Sequence, residues 1–194
     1  MMKSKAVFLD RDGTINEEMG YINHPSRFMI YDFVPEAIKI LNQCGFLVLV
    51  VTNQSGVARG YFDEKLVQIL HKQLTDQVRN GGGKIDRIYY CPHHPTEGIG
   101  AYRVDCACRK PRSGMIDMAI KEFDIDLKKS YMVGDRYKDI VFGKKLGLKT
   151  IMVLTGYGLG EYTYQRKQWT EYPDIISPNL LEASREIEIR ELKS

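Results

Sequence analysis

Two carboxylates spaced by one residue, Asp10 and Asp12, follow directly on the apolar run Ala6–Leu9, and Gly13 and Thr14 come next. Residues two apart share a face of an extended chain, so both acids point the same way, and Gly13 allows a sharp turn after them. Two acids this close repel unless a cation or a shared proton intervenes. Oxygen ligands of this kind suit magnesium. A plain turn after a strand uses the same residue types. A calcium loop does not fit, because the glycine is fourth rather than sixth and Tyr21, not glutamate, holds the twelfth position.

Further along are three other groups able to do chemistry. Thr52-Asn53-Gln54-Ser55-Gly56 supplies a hydroxyl, amides and a turned backbone, the makings of an anion nest. Cys91 and His93, then Cys106 and Cys108, supply four soft or borderline ligands for a closed tetrahedral zinc site. His94 is the competing imidazole, which spacing barely separates from His93. The one-residue gaps are tighter than those of a zinc finger. With all four positions filled by protein there is no place for an activated water, so the zinc is expected to be structural and to pin the loop 91–108. Arg109 and Lys110 follow at once, two cations directed by that loop toward phosphate. Gly134-Asp135-Arg136 then puts another carboxylate after an apolar run, with Asp139 four residues later.

These groups need elements to position them. Ala6–Leu9, Phe46–Val51, Ile85–Tyr90, Tyr131–Val133 and Thr150–Leu154 read as strands, with Asp174–Ser177 as a last short one. Helices are expected from Pro35 to Cys44, from Asp63 to about Arg79, from Ser113 as cap to Phe123, up to Leu146, and from Asn179 to Ile189. Alternation of this kind predicts an α/β fold, a doubly wound parallel sheet of Rossmann type. In such sheets ligands bind at the carboxyl ends of the strands, where Asp10, Asp12, Thr52, Asn53, Lys110 and Asp135 fall. Acids, a hydroxyl and a lysine converging there make a phosphoryl-transfer site. The connection 15–31 is longer than usual and adjoins it; Glu18, Met19, Gly20 and Tyr21 are its candidate substrate contacts. The run Gly156-Tyr157-Gly158-Leu159-Gly160 reads as loop.

The chain has 194 residues, the size of one ordinary domain, so 1–194 is expected to be a single unit carrying the zinc loop and a C-terminal part, 156–194. Hydrophobic content of 43% and charged content of 27% are those of a globular protein in water. A formal charge of +3, scattered along the chain, does not indicate nucleic acid but suits a small anionic substrate. No apolar run reaches membrane-span length and nothing resembles a signal peptide. Clustered cysteines indicate metal rather than disulfides. The expected setting is the cytoplasm, and the expected state a monomer.

The sequence resembles the haloacid dehalogenase superfamily of phosphatases, whose motifs match in order at Asp10–Thr14, Thr52, Lys110, and Asp135 with Asp139. Within it the chain is similar to the D-glycero-D-manno-heptose 1,7-bisphosphate 7-phosphatase branch, sharing FLDRDGTIN, VVTNQSGVARG, YYCPHHP, CxCRKP and YMVGD as far as about Thr155. One departure is Arg136, where lysine is expected. The resemblance implies a haloacid dehalogenase type fold without a separate cap domain. It also implies a cytoplasmic, magnesium-dependent hydrolase that removes the 7-phosphate of the heptose bisphosphate in bacterial heptose nucleotide and lipopolysaccharide biosynthesis. Asp10 would be the nucleophile and Asp12 the general acid and base, arriving protonated. Asp10, the Asp12 carbonyl and Asp135 would hold magnesium. Thr52, Asn53 and Lys110 would hold phosphoryl oxygens, Arg109 would meet the sugar or its second phosphate, Arg136 would be among the substrate-binding residues, and Asp139 would orient Asp135 or Lys110. Histidinol-phosphate phosphatases are a second reading. A phospho-acceptor signalling domain is a third, from another class; it places its acceptor after the third strand and lacks an equivalent of Asp12.

Overall fold

The first strand, β1 (Ala6–Leu9), is buried along its whole length and flanked on both sides by parallel neighbours. A continuous apolar run is what burial on both faces demands. The computed structural model describes residues 3–193. After β1 come α1 (Val34–Gln43), β2 (Leu47–Asn53), α2 (Glu64–Asn80), β3 (Arg87–Cys91) and α3 (Gly114–Phe123). Then follow β4 (Tyr131–Gly134), α4 (Tyr137–Lys145), β5 (Lys149–Val153), α5 (Gly158–Tyr164), β6 (Ile175–Ser177) and α6 (Leu180–Leu192). All six strands of the described residues form one parallel sheet in the order β3-β2-β1-β4-β5-β6. The winding reverses between β1 and β4, and this switch point is where an open α/β sheet leaves a crevice.

Alternate strand residues feed two cores. Val7, Leu9, Val48, Val50 and Val133 pack against α1, α2 and α6 through Ile38, Leu41, Leu74 and Ile187. Phe8, Leu49, Val51 and Met132 face the other way, onto Met115, Ile116 and Phe142 of α3 and α4. Burying one such side chain fully is worth about 1.5–3 kcal/mol. The two cores hold the strand ends rigid.

Helix starts follow local chemistry where a cap is available. Asp63 accepts the Leu66 N–H at 2.9 Å ahead of α2, and Asn179 accepts the Glu182 N–H at 3.0 Å ahead of α6. Ser113 does not cap α3 as expected. Its hydroxyl donates to Asp117 at 2.8 Å, and its backbone is already helical. The glycine run after β5 is likewise not simply a loop: α5 begins at Gly158. Without an apolar period the run carried no helix signal; Gly158 fits because its missing Cβ would stand 1.9 Å from the Val153 carbonyl oxygen.

Candidate active site

Asp10 sits at the carboxyl end of β1, its own N–H bonded to the Val133 carbonyl of β4 at 2.9 Å. That bond fixes it at the switch point. Its Oδ1 accepts the Arg11 N–H at 2.8 Å and lies 2.9 Å from Lys110 Nζ. Lys110 Nζ also meets Asp139 Oδ1 at 2.8 Å. Lys110 is held from behind: the Asn53 side-chain amide donates to its carbonyl at 3.2 Å and accepts its N–H at 3.1 Å. Asn53 was expected to hold phosphoryl oxygens. Both ends of its amide are instead engaged by the Lys110 backbone.

Asp10, Asp135 and Asp139 are all buried, and an oxygen from each lies within 4.8 Å of the others. Lys110 pairs with two of the three carboxylates, Asp10 and Asp139. Asp135 Oδ2 accepts the Tyr157 N–H at 2.9 Å, but Asp135 Oδ1 and Asp139 Oδ2 are buried without a partner among the described residues. Buried carboxylate oxygens left unpaired are costly. Burial and the charges of Asp10 and Asp139 push Asp135 up to about 8. Burial likewise raises Asp10, with Lys110 opposing and Asp139 adding to the rise. For Lys110, burial works against the charge, and Asp10 and Asp139 outweigh it. An excess of buried negative charge, with orphaned oxygens, is the environment a hard divalent cation satisfies.

Two glycines keep this place open. A Cβ on Gly13 would come 2.2 Å from Asp135 Oδ2 and one on Gly156 would come 2.3 Å from it. Both glycines have positive φ, +82° and +55°. Thr155 donates its hydroxyl to the Gly13 carbonyl at 2.6 Å, tying the turn after β5 to the turn after β1.

Asp12 is held by five bonds, one of them from Arg11 Nε to its Oδ1 at 3.2 Å. Arg11 Nη2 donates to its two oxygens at 2.8 and 3.0 Å, Asn16 to Oδ1 at 3.0 Å and Gln54 to Oδ2 at 2.8 Å. Gln54 also donates to the Thr52 hydroxyl at 2.9 Å. Arg11 is itself buried and donates from Nη1 to His71 Nε2 at 3.3 Å. Burial, with the Arg11 charge adding, brings His71 down to about 3, so its imidazole is neutral and free to accept.

A cavity of about 250 Å³ opens above these groups, lined by Asp10, Asp12, Thr52, Asn53, Gln54, Ser55 and Lys110. Glu18, Gly20 and Tyr21 enter from the long connection, and Arg136, Lys138, Phe62 and Tyr157 complete the wall. Burial raises Glu18, with the Gly20 N–H that its Oε1 accepts at 2.7 Å acting against it. Two expected contacts are not in the lining. Met19 is turned to solvent, 38% exposed. Arg109 is drawn away because its Nη1 donates to the His93 carbonyl at 3.1 Å. Arg11, Asn16, His71, Lys138 and Tyr157 were not anticipated. The strand-end rule that found Asp10 and Asp135 applies equally to Tyr157 after β5.

Beside the cavity, Cys91, His93, Cys106 and Cys108 converge. Their sulfurs stand 3.0 to 3.4 Å apart, and His93 Nδ1 is 3.4 Å from Cys108 Sγ and 3.8 Å from Cys91 Sγ. Burial raises the Cys91 thiol. It acts the same way on Cys106, but hydrogen bonds from Cys108 and Cys91 outweigh it and bring that thiol down to about 7. Three thiols and one imidazole facing a common centre fit a tetrahedral zinc ion. His94 faces elsewhere, its Nδ1 accepting the Glu97 N–H at 3.0 Å.

A carboxylate at the end of the first strand, a lysine and two further acids around it, on a parallel sheet of this order, define a phosphatase of the haloacid dehalogenase type. A HAD-hydrolase-like family model matches residues 107–183. A D-glycero-beta-D-manno-heptose-1,7-bisphosphate 7-phosphatase of Pasteurella multocida is 47% identical over 81% of this chain and 85% of its own. The corresponding alpha enzyme of Photorhabdus laumondii is 36% identical over 96% and 98%. A solved D,D-heptose 1,7-bisphosphate phosphatase of B. bronchiseptica, complexed with magnesium and phosphate, superimposes with a TM-score of 0.83 at 29% identity, over 96% of this chain and 99% of that one. The chain belongs to the D-glycero-manno-heptose-1,7-bisphosphate 7-phosphatase family. No helix among the described residues is long and apolar enough to cross a membrane.

Proposed function

We propose that this protein removes the 7-phosphate from D-glycero-D-manno-heptose 1,7-bisphosphate through an aspartyl-phosphate on Asp10. The observation that carries the reading is that Asp10 and Lys110 line a cavity whose wall bears Arg136 and Lys138, with Asp135 and Asp139 buried next to them. Relatives on both sides of the anomer divide support the substrate class. Asp10, Asp135 and the Asp12 carbonyl would hold magnesium, which when bound neutralises charge on the phosphoryl oxygens.

Lys110 and the Arg11 N–H both act on Asp10 Oδ1, so Oδ2 is the oxygen left for attack. Attack forms the Oδ2–phosphorus bond as the bond from phosphorus to the sugar oxygen breaks. Asp12 gives its proton to the departing sugar oxygen, then takes one from the water that splits the aspartyl-phosphate. To carry that proton it must release one of the bonds from Arg11 or Gln54. Lys110 and Thr52 hold phosphoryl oxygens in place, Asn53 holds Lys110, and Asp139 orients it. Gln54 and Ser55 border the reacting phosphate. Glu18, Gly20 and Tyr21 meet sugar hydroxyls, and Arg136 meets the second phosphate. The zinc loop is structural. Its unpaired thiols suit the cytoplasm, where thiols stay reduced.

Phosphate release, with magnesium and with a chelator, tests this across both heptose bisphosphate anomers, the heptose 7-phosphate and histidinol phosphate. A heptose bisphosphate should exceed histidinol phosphate in kcat/KM by about 100-fold or more. Equal turnover of the two would refute the substrate assignment.

A further inference from the structure

Glu161, on the first turn of α5, is a buried carboxylate, 7% exposed, that plays no part in the chemistry above. Its Oε2 accepts the backbone N–H of Tyr137, the first residue of α4, at 2.6 Å. Its Oε1 accepts from Arg136 Nε at 3.0 Å. The Arg136 guanidinium also lies 4.3 Å above the Tyr157 ring. The pair is asymmetric: the Glu161 side chain is 9% exposed and that of Arg136 is 36% exposed. Glu161 grips the inner nitrogen, and the Nη edge carries no protein partner among the described residues. Arg136 lines the cavity. An arginine held by Nε and stacked on a ring, with its outer fork free, is prepared for a planar or tetrahedral oxyanion.

The same turn fixes the other end of the site. Tyr157 lends its ring to Arg136 and its N–H to Asp135. Asp135 and Arg136 are chain neighbours, so one short stretch sets the separation between the reacting phosphate and a second anion.

We propose that Glu161 and the Tyr157 ring are positioning residues that aim Arg136 at the distal phosphate and so make the site select bisphosphates over monophosphates. This rests on the phosphatase reading above. The test is steady-state kinetics with magnesium on a heptose 1,7-bisphosphate and on the heptose 7-phosphate, using Glu161→Ala, Tyr157→Ala and Tyr157→Phe. Circular dichroism and magnesium affinity are measured alongside. Glu161→Ala should raise KM for the bisphosphate by about tenfold or more while kcat stays within about twofold and the monophosphate kinetics do not move. Tyr157→Ala, which keeps the N–H on Asp135, should raise the bisphosphate KM likewise, and Tyr157→Phe should restore it. If Glu161→Ala does not fold, the tyrosine pair carries the test. Equal losses on both substrates, or a fall in kcat with weaker magnesium binding, would make these residues merely structural and overturn the inference. A wild type that prefers the bisphosphate, with variants that keep that preference, overturns it alone. A wild type without the preference overturns the substrate assignment and this inference with it.

Discussion

Asp10 combines burial, a salt-bridging lysine and one carboxylate oxygen without a protein partner among the described residues. Replacing it by asparagine keeps the volume and the hydrogen bonding to Arg11 but removes the attacking oxygen anion. Asp10→Asn should therefore lower kcat by at least about 10,000-fold while circular dichroism and thermal unfolding stay near wild type. Residual turnover well above that level would mean that another group attacks. Neighbouring residues show how far local reading reaches. Asp10, Asp12, Lys110 and Asp135 were legible because each carries its chemistry in its type and its place at a strand end. The use of Asn53 was not. Whether an amide faces substrate or the Lys110 backbone depends on a segment 57 residues away. Arg109 likewise turns to the His93 carbonyl, a partner that only the closed zinc loop brings near.

Among the elements, the zinc loop is the one whose removal is most informative. Its backbone holds the segment behind Ser55 and Gly56, with Ala58 N–H on the Pro92 carbonyl at 3.2 Å and Ile99 N–H on the Ala58 carbonyl at 2.9 Å. Arg59 pairs with Glu97 across the same seam. Tyr102 donates to Glu64 of α2 at 2.7 Å. Lys110 is held separately, by Asn53, Asp10 and Asp139. Stripping zinc in excess magnesium should thus raise KM by about tenfold with a smaller change in kcat, and lower the melting temperature by about 5 °C or more. Parallel titrations of zinc content, kinetics and melting check this. A melting temperature and KM indifferent to zinc would remove the staple from the account. α5 is the element that reading by pattern missed. Seven residues with two glycines carry no apolar period, and what accompanies their helix is the close approach to β5 and the bonds to Arg136 and Tyr137.

At the scale of the whole molecule the site strains the fold. With Asp135 raised from 3.8 to about 8 by burial and by its acidic neighbours, and Asp10 raised too, the folded protein keeps protons that the unfolded chain has released. Stability is therefore fully present below the unfolded value and falls as pH rises toward 8. Without divalent metal, urea unfolding free energy should drop between about pH 5 and pH 8 by roughly 4 kcal/mol. Saturating magnesium should flatten the profile, since a cation among the three carboxylates removes the reason for holding protons. A metal-free stability that climbs over the same range would show that the acids do not repel as the geometry requires.

Taken alone, the sequence determined the parallel α/β alternation, the strand-end acids and lysine, and the three cysteines and one histidine that meet in the loop. Each of these is written within a few consecutive residues, as an apolar run stopped by a polar group or as cysteines at fixed gaps. Only the tertiary structure decided that Asp139 pairs with Lys110 rather than Asp135, that Arg11, Asn16 and Gln54 clamp Asp12, and that α5 holds Arg136. Those arrangements join positions far apart in the chain, and they arise from which strands become neighbours and how closely their ends approach.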